Sequence, residues 1–432
     1  MKVPLYGQPD AGLCWYESID KFLTDDSECR FSRGEVEPCV YDRRVGSDGS
    51  EHVNMNLYVD DGKLYYDSTA AARAEAERIR GKLQGRWHIK FQEENQRDTH
   101  LLSANIRRHN ASWTSIRMQT YIEKAVRDHL AKPLESYPRS WARNPCDKGL
   151  MRDYETALNK TDMLSGKEAE TYGTLVGVLQ FATAFRPDVA FPVGVGGRCR
   201  TFPTEAMYRH MERVLVYLGH TAELAINYVS SRPDSAKLSG CSDSDWYIRR
   251  STTGYVITLA CGAVAHGSHR QHCIANSSTE AEMMALADLA LEMLYVIELL
   301  KEMGHEFDEE SLEAQTDDPE AHRLVHAVGD AVRLAGVGDI KHGPVEVGVD
   351  NKGAYDLCHR TTAGKNSRHV ERKVWKMREL QRNGKVKLIL VPTADMRADM
   401  LTKPLDDETF RRHRDTVMNI SASGQGITGA RS

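Results

Sequence analysis

No apolar stretch approaches the roughly 18 residues that a membrane-spanning helix needs, so no such span is expected. The first residues, Met1 to Pro9, also lack the apolar centre of a signal peptide. Nine cysteines are scattered without a Cys-x-x-Cys pair, which argues against a disulfide frame or a zinc site. They read as reduced thiols of an intracellular protein. An excess of positive charge is missing too. Fifty-seven Lys and Arg stand against 62 Asp and Glu, a net charge of −5, which argues against indiscriminate coating of nucleic acid. A local basic strip remains compatible with that balance. What is present is ordinary for a globular chain: 432 residues, 41% hydrophobic and 28% charged, enough for two or three domains.

The chain is organised around Leu238-Ser-Gly-Cys-Ser-Asp-Ser-Asp-Trp246, a run of small residues ending in two aspartates. Downstream, Glu282 stands at a helix start, Asp350 at a strand end and Asp399 at another helix start. Oxygen ligands from several elements are what two hard cations about 4 Å apart require for phosphodiester hydrolysis. The pattern around them predicts strands at 238–246, 253–260 and 263–272, a long amphipathic helix at 279–303 and a strand at 345–350. A helix at 370–381, a strand at 386–391 and a helix from Ala398 follow. The sum is a mixed five-stranded sheet covered by helices.

Earlier in the chain, Leu13–Leu23 has helical spacing. Val53–Tyr66 reads as a hairpin turning at Asp60-Asp61-Gly62, and Thr69–Leu83 as a helix ending before Gly85. Pro133–Asp153 is a polar linker. Ser165–Phe185 is a helix ended by Arg186-Pro-Asp188. Thr204 caps a second helix, Glu205–Leu218, stopped by Gly219. No chemistry is assigned to these two helices.

Tyr58-Val-Asp-Asp61, with Leu5-Tyr-Gly7 and Trp15-Tyr16, resembles the second half of the reverse transcriptase of copia-type retrotransposon Pol polyproteins. The resemblance implies a palm hairpin with Asp60 and Asp61 facing a nucleotide, although the lysine usual after Leu-Tyr-Gly is absent. The family's earlier palm strand, with its own carboxylate, would lie before Met1. No DNA synthesis by this chain alone is therefore expected. Ser242-Asp-Ser-Asp-Trp246, Ser251-Thr-Thr-Gly-Tyr255, Ser277-Ser-Thr-Glu-Ala-Glu282, Val349-Asp-Asn351, Val391-Pro-Thr393 and Ala398-Asp-Met-Leu-Thr-Lys-Pro404 resemble the ribonuclease H part of the same polyproteins. That resemblance spans about 236–418. It implies catalytic and metal-binding roles for Asp243, Glu282, Asp350 and Asp399, with two Mg2+ ions (Mn2+ as an alternative) and cleavage of RNA in RNA–DNA hybrids.

The implied architecture is α/β and α+β multidomain. Residues 1–135 form a partial reverse transcriptase, palm hairpin plus thumb-like region with a helix at Met118–Val126. Residues 136–235 form a linker and helical connection. Residues 236–418 form the ribonuclease H-like domain and 419–432 a disordered tail. Singly, each carboxylate has a competing structural reading. Asp243 and Asp350 suit turns, and Asp399 suits a helix N-terminus. Thr279-x-x-Glu282 is a capping box. Asp245 and Glu280 are neighbours. His369 matches a family histidine, or is a surface histidine at a helix start.

From Lys365 to Lys387, nine Lys or Arg face two Glu, a strip that includes Lys365, Arg368, Arg372 and Lys376. It suits phosphates or, with equal weight, a solvated helix face. Residues 306–320 hold eight acids inside an insertion at 305–343, expected to be a surface loop with a short helix at His322–Leu334. Expected partners are an RNA–DNA hybrid and the remainder of the polyprotein, with no membrane. The location is the cytoplasm or virus-like particles, the nucleus and the oligomeric state being left open. Rival readings are an integrase or transposase on the same fold, disfavoured because those place their glutamate last, and a decayed or domesticated nucleic-acid-binding remnant without activity.

Overall fold

The computed structural model describes residues 11–59, 61–91, 98–232, 235–247, 249–303, 344–360 and 371–420. The chain is mixed α/β and divides into two compact units. One takes in the described residues up to 91 together with 295–303, and the other takes in 98–294 and those from 344 onward. The division falls between 97 and 98 and again between 294 and 295.

The first unit contains α1 (Ala11–Thr24), β1 (Ser32–Arg33), β2 (Val40–Val45), β3 (Glu51–Tyr58), β4 (Asp61–Tyr66) and α2 (Ala70–Trp87). The four strands pair antiparallel in chain order. Thr69 caps α2 by accepting from the Ala72 N–H, and Ala72, Ala76, Ile79 and Leu83 bury one helical face. The helix does not end before Gly85. It runs on to Trp87, whose ring meets Phe22 at 4.7 Å and Trp15 at 5.6 Å. That packing outweighs the roughly 1 kcal/mol cost of a helical glycine. The hairpin turn also differs. Tyr58 pairs with Asp61, so Asp61 already belongs to β4. Val59 has φ 53°, the left-handed region that two-residue hairpin turns demand.

In the second unit, 98–117 folds as β5 (Asp98–Leu101), β6 (Ala104–Asn110) and β7 (Trp113–Arg117). The expected helix follows as α3 (Gln119–His129). Then come α4 (Gly149–Ala157), α5 (Gly166–Thr183), α6 (Ala190–Arg198) and α7 (Glu205–His220). The strand β8 (Ile226–Val229) closes a sheet of order β5-β6-β7-β8. Thr204 caps α7 through the Met207 N–H, but Gly219 does not stop it. A Cβ there would press Val126 and Leu134 at 3.0 Å, so the glycine serves close packing. Arg186 and Asp188 do more than end α5. They form a fully buried bidentate pair at 2.9 and 2.7 Å, and the Tyr217 hydroxyl donates to Asp188 at 2.6 Å.

The remaining elements are β9 (Ser239–Ser244), β10 (Thr252–Leu259), β11 (Gly262–Arg270), α8 (Ser278–Glu302), β12 (Val345–Val349), α9 (Lys352–His359), α10 (Glu371–Arg382), β13 (Val386–Leu390) and α11 (Asp407–Val417). Their sheet has the order β11-β10-β9-β12-β13. The first three strands are an antiparallel meander, and β12 and β13 run parallel to β9. The expected five-stranded mixed sheet is present. The last helix is not where Ala398 suggested. Residues Arg397–Leu401 form a 3-10 turn, and α11 begins only at Asp407. Pro404 has no N–H and disfavours helix at Lys403, so Asp406 starts afresh as a cap, accepting from Glu408 and Thr409.

Two glycines set the distances around β9. A Cβ on Gly240 would meet the Met293 side chain at 2.7 Å, so its absence lets α8 lie close to the sheet. A Cβ on Gly254, directly across from Asp243, would meet Thr402 at 2.6 Å and Leu401 at 2.9 Å. No described helix is long and apolar enough to cross a membrane. The insertion with its expected helix, the tail from 421, Asp60, Lys365, Arg368 and His369 lie outside the described residues.

Candidate metal centre

Asp243 sits near the end of β9, Asp350 just beyond the end of β12, and Glu282 in the first turns of α8. One carboxylate oxygen from each comes within 4.8 Å of the others. Asp243 is 2% exposed and Glu282 5%, while Asp350 is half-buried. Asp399, also buried, is carried by the 3-10 turn, and Lys403 lies against both it and Asp243.

Close packing of acids in a dry place makes ionisation costly. Burial, then Asp243 and Asp350, push the Glu282 carboxyl up to about 9. Burial and then Asp243 raise Asp399 to about 7, against the opposing pull of Lys403. Asp350 is raised for the same two reasons. Glu282 Oε1 accepts from the Ser244 N–H at 3.4 Å, and its Oε2 is buried without a hydrogen-bond partner. A buried acid oxygen without a partner, among oxygen-only ligands, fits a hard divalent cation such as Mg2+ or Mn2+.

The competing capping role belongs to another residue. Ser277 Oγ accepts from the Glu280 N–H at 3.2 Å, and Glu280 Oε2 accepts from the Asn276 N–H at 2.7 Å. Thr279 is already inside α8, so the box is shifted two residues from the expected Thr279–Glu282 pair. Asp245 is engaged with Thr252, accepting from its N–H and, at 3.1 Å, from its hydroxyl.

Two residues that the sequence reading passed over touch the carboxylates. The Thr402 hydroxyl donates to Asp243 Oδ2. The Lys403 ammonium lies 2.8 Å from Asp399 Oδ1 and 3.5 Å from Asp243 Oδ2. The signal was available as an acid and a lysine four residues apart, a spacing that pairs on a helical turn. Of the basic strip, Arg372 and Lys376 are among the described residues. Arg372 is exposed on α10, and Lys376 stands 3.7 Å from Glu379. Among the described residues, no hydrogen bond or ion pair joins either to the carboxylates. Asp61, at the start of β4, is exposed.

A groove of about 820 Å3 opens beside β11, between it and α5 and α6. Arg198, Arg200, Arg250 and Arg270 line it, with Gly194 and Gly197 in its wall. Arg198 donates to Thr252 Oγ1 at 3.1 Å. Burial lowers the Arg198 guanidinium, and the charge of Arg270 adds to the effect.

No family model matches the chain. It is similar to the retrovirus-related Pol polyprotein from transposon TNT 1-94 of Nicotiana tabacum, 24% identical over 419 residues. That alignment takes up 96% of this chain and 27% of the polyprotein. The Pol polyprotein from transposon RE1 of Arabidopsis thaliana is 27% identical over 246 residues, 56% of this chain and 14% of its own length. The putative transposon Ty5-1 protein YCL074W of Saccharomyces cerevisiae is 26% identical over 294 residues, 67% of this chain and 87% of its own. The chain thus spans about a quarter or less of the two long polyproteins. With alignment running over nearly its whole length, the protein is a homologue of a region of the copia-type retrotransposon Pol polyproteins.

Proposed function

We propose that the second unit is a ribonuclease H-type nuclease that cleaves the RNA strand of RNA–DNA hybrids with Mg2+. The observation that carries this is the convergence of buried Asp243, Glu282 and Asp350 where β9, β12 and the start of α8 meet. Numbered from β9, the sheet order is 3-2-1-4-5, which is the arrangement this reading expects. Glu282 is the second carboxylate in chain order, which favours it over an integrase or transposase.

Asp243, Glu282 and Asp350 would hold the ions, with Asp399 at the edge of the set. Two bound cations would activate water on one side of the phosphorus and stabilise the leaving oxygen on the other. The chain's own part is to fix its ligands. Thr402 holds Asp243, the Ser244 N–H holds Glu282, and Gly254 lets the Asp399 turn approach. The arginine groove supports a phosphodiester partner, and recognition of hybrid would rest on A-form shape and 2′-hydroxyls. The β3–β4 hairpin has the strand–turn–strand form of the palm reading. The remainder of a Pol polyprotein is the natural partner for that unit, acting inside the cell. Incubation of the chain with end-labelled hybrid should give RNA fragments with Mg2+ and none with EDTA, leaving duplex RNA intact. Uncut hybrid across a full Mg2+ and Mn2+ titration would overturn the reading.

A further inference from the structure

Four carboxylates converge at the candidate metal centre, and among the described residues one cationic side chain is ion-paired with them. That side chain is Lys403. Its position is built in. The Lys403 N–H donates to the Asp399 carbonyl at 3.1 Å, closing the turn that carries the acid, and Pro404 blocks further helix. The ammonium reaches Asp399 Oδ1 at 2.8 Å and Asp243 Oδ2 at 3.5 Å, while 37% of the lysine side chain is exposed. It can therefore leave for solvent by rotation of its own stem. A divalent cation entering the cluster draws on Asp243 as well, and a second positive charge a few Å away repels it.

We propose that Lys403 is the resident counter-ion of the carboxylate cluster, a positioning residue that occupies part of the divalent-ion site and is displaced when the ion enters. The inference rests on the metal-binding reading above and adds to it a competitor supplied by the chain itself. Lys403 holds Asp243 and Asp399 together while no ion is bound, and it sets the ion concentration at which the site fills.

The test uses the full chain and Lys403→Met, with Lys403→Arg as the variant that keeps the charge. Mn2+ binding is read by isothermal titration, and melting is followed in EDTA and in saturating Mg2+. Lys403→Met should bind Mn2+ about tenfold or more tightly than the wild type. It should melt lower than the wild type in EDTA, and level with it or higher in Mg2+. Lys403→Arg should stay close to the wild type in both. Equal or weaker Mn2+ binding by Lys403→Met, or the same loss of melting temperature with and without Mg2+, would overturn the proposal. Amine labelling of the wild type, read by mass spectrometry, decides the matter without a variant. Lys403 should react faster in Mg2+ than in EDTA, and an unchanged rate counts against displacement. Absence of Mn2+ binding by every protein would remove the metal reading and this inference together, whereas equal binding by all three removes only the inference.

Discussion

The two units each present acidic residues in a motif suited to metal chemistry, and they treat them differently. In the first unit Asp61 is exposed at the start of β4, which pairs antiparallel with β3. In the second, three carboxylates from separate elements bring an oxygen each within 4.8 Å of the others, two of them 5% exposed or less. Adjacency in sequence supplies neither burial nor convergence. A carboxylate acquires a strong demand for a cation when other acids crowd it and water is kept away. Burial and two aspartates push the Glu282 carboxyl up to about 9, so its charged form is costly there without a cation.

The sharpest way to break this contrast is to neutralise acids in both places. Asp243→Asn and Glu282→Gln should each lower hybrid cleavage by about a thousandfold or more, roughly 4 kcal/mol of barrier, without unfolding the chain. Asp61→Asn should leave the initial rate unchanged. If Asp61→Asn were equally damaging, the contrast would fail.

Binding should separate the units next. Replacing Arg200, Arg250 and Arg270 with alanine should weaken hybrid binding in EDTA. The log–log salt slope should become shallower by about 0.9 for each phosphate that the variant no longer neutralises. Arg44→Ala, an exposed arginine of the first unit, is the control and should not change the slope.

Acid should weaken the second unit. Burial holds His413 at about 4 and His266 at about 4, below the ordinary 6.5. Because the folded values lie below the unfolded one, this contribution to stability is complete above pH 6.5. It is lost as pH falls toward 4, by about 3 kcal/mol for each histidine. Melting followed from pH 7 to pH 4 should show the fall, and His413→Gln should flatten it. A variant with the wild-type slope would mean that His413 finds a partner for its proton.

The smallest effect distinguishes capping from metal binding on one helix. Ser277→Ala should cost about 1 kcal/mol in urea unfolding, and Glu280→Gln a few tenths. Both should cleave at close to the wild-type rate. Loss of cleavage in Glu280→Gln would extend the site beyond the four carboxylates.

Much of the fold was legible because it rests on local pattern. β9 to β13, α8 and α10 lie close to their expected bounds, since alternation and helical spacing report the face that a sheet or core covers. The failures share a cause. The extent of α2 depends on Trp87 meeting Phe22, the run of α7 past Gly219 on Val126 and Leu134, and the three strands of 98–117 on pairing that ends at β8. Each depends on partners distant in sequence. At the site, the four acids could be named one by one. Which of Glu280 and Glu282 caps the helix could not, because both offer the same group to nearby donors and only the true helix start at Ser278 separates them.

By itself, the amino-acid sequence determined the run of strands and helices from β9 to β13, the oxygen-only chemistry of the candidate ligands and the kinship with copia-type Pol polyproteins. Composition, periodicity and motif are properties of the chain read in one dimension. The tertiary structure alone decided that Asp243, Glu282 and Asp350 meet, that Glu282 Oε2 is left without a partner, and that Lys403 reaches Asp243 across 160 positions of sequence. Distance and dielectric set the strength of a charge interaction, and both exist only once the sheet, α8 and the 397–401 turn have packed around one another.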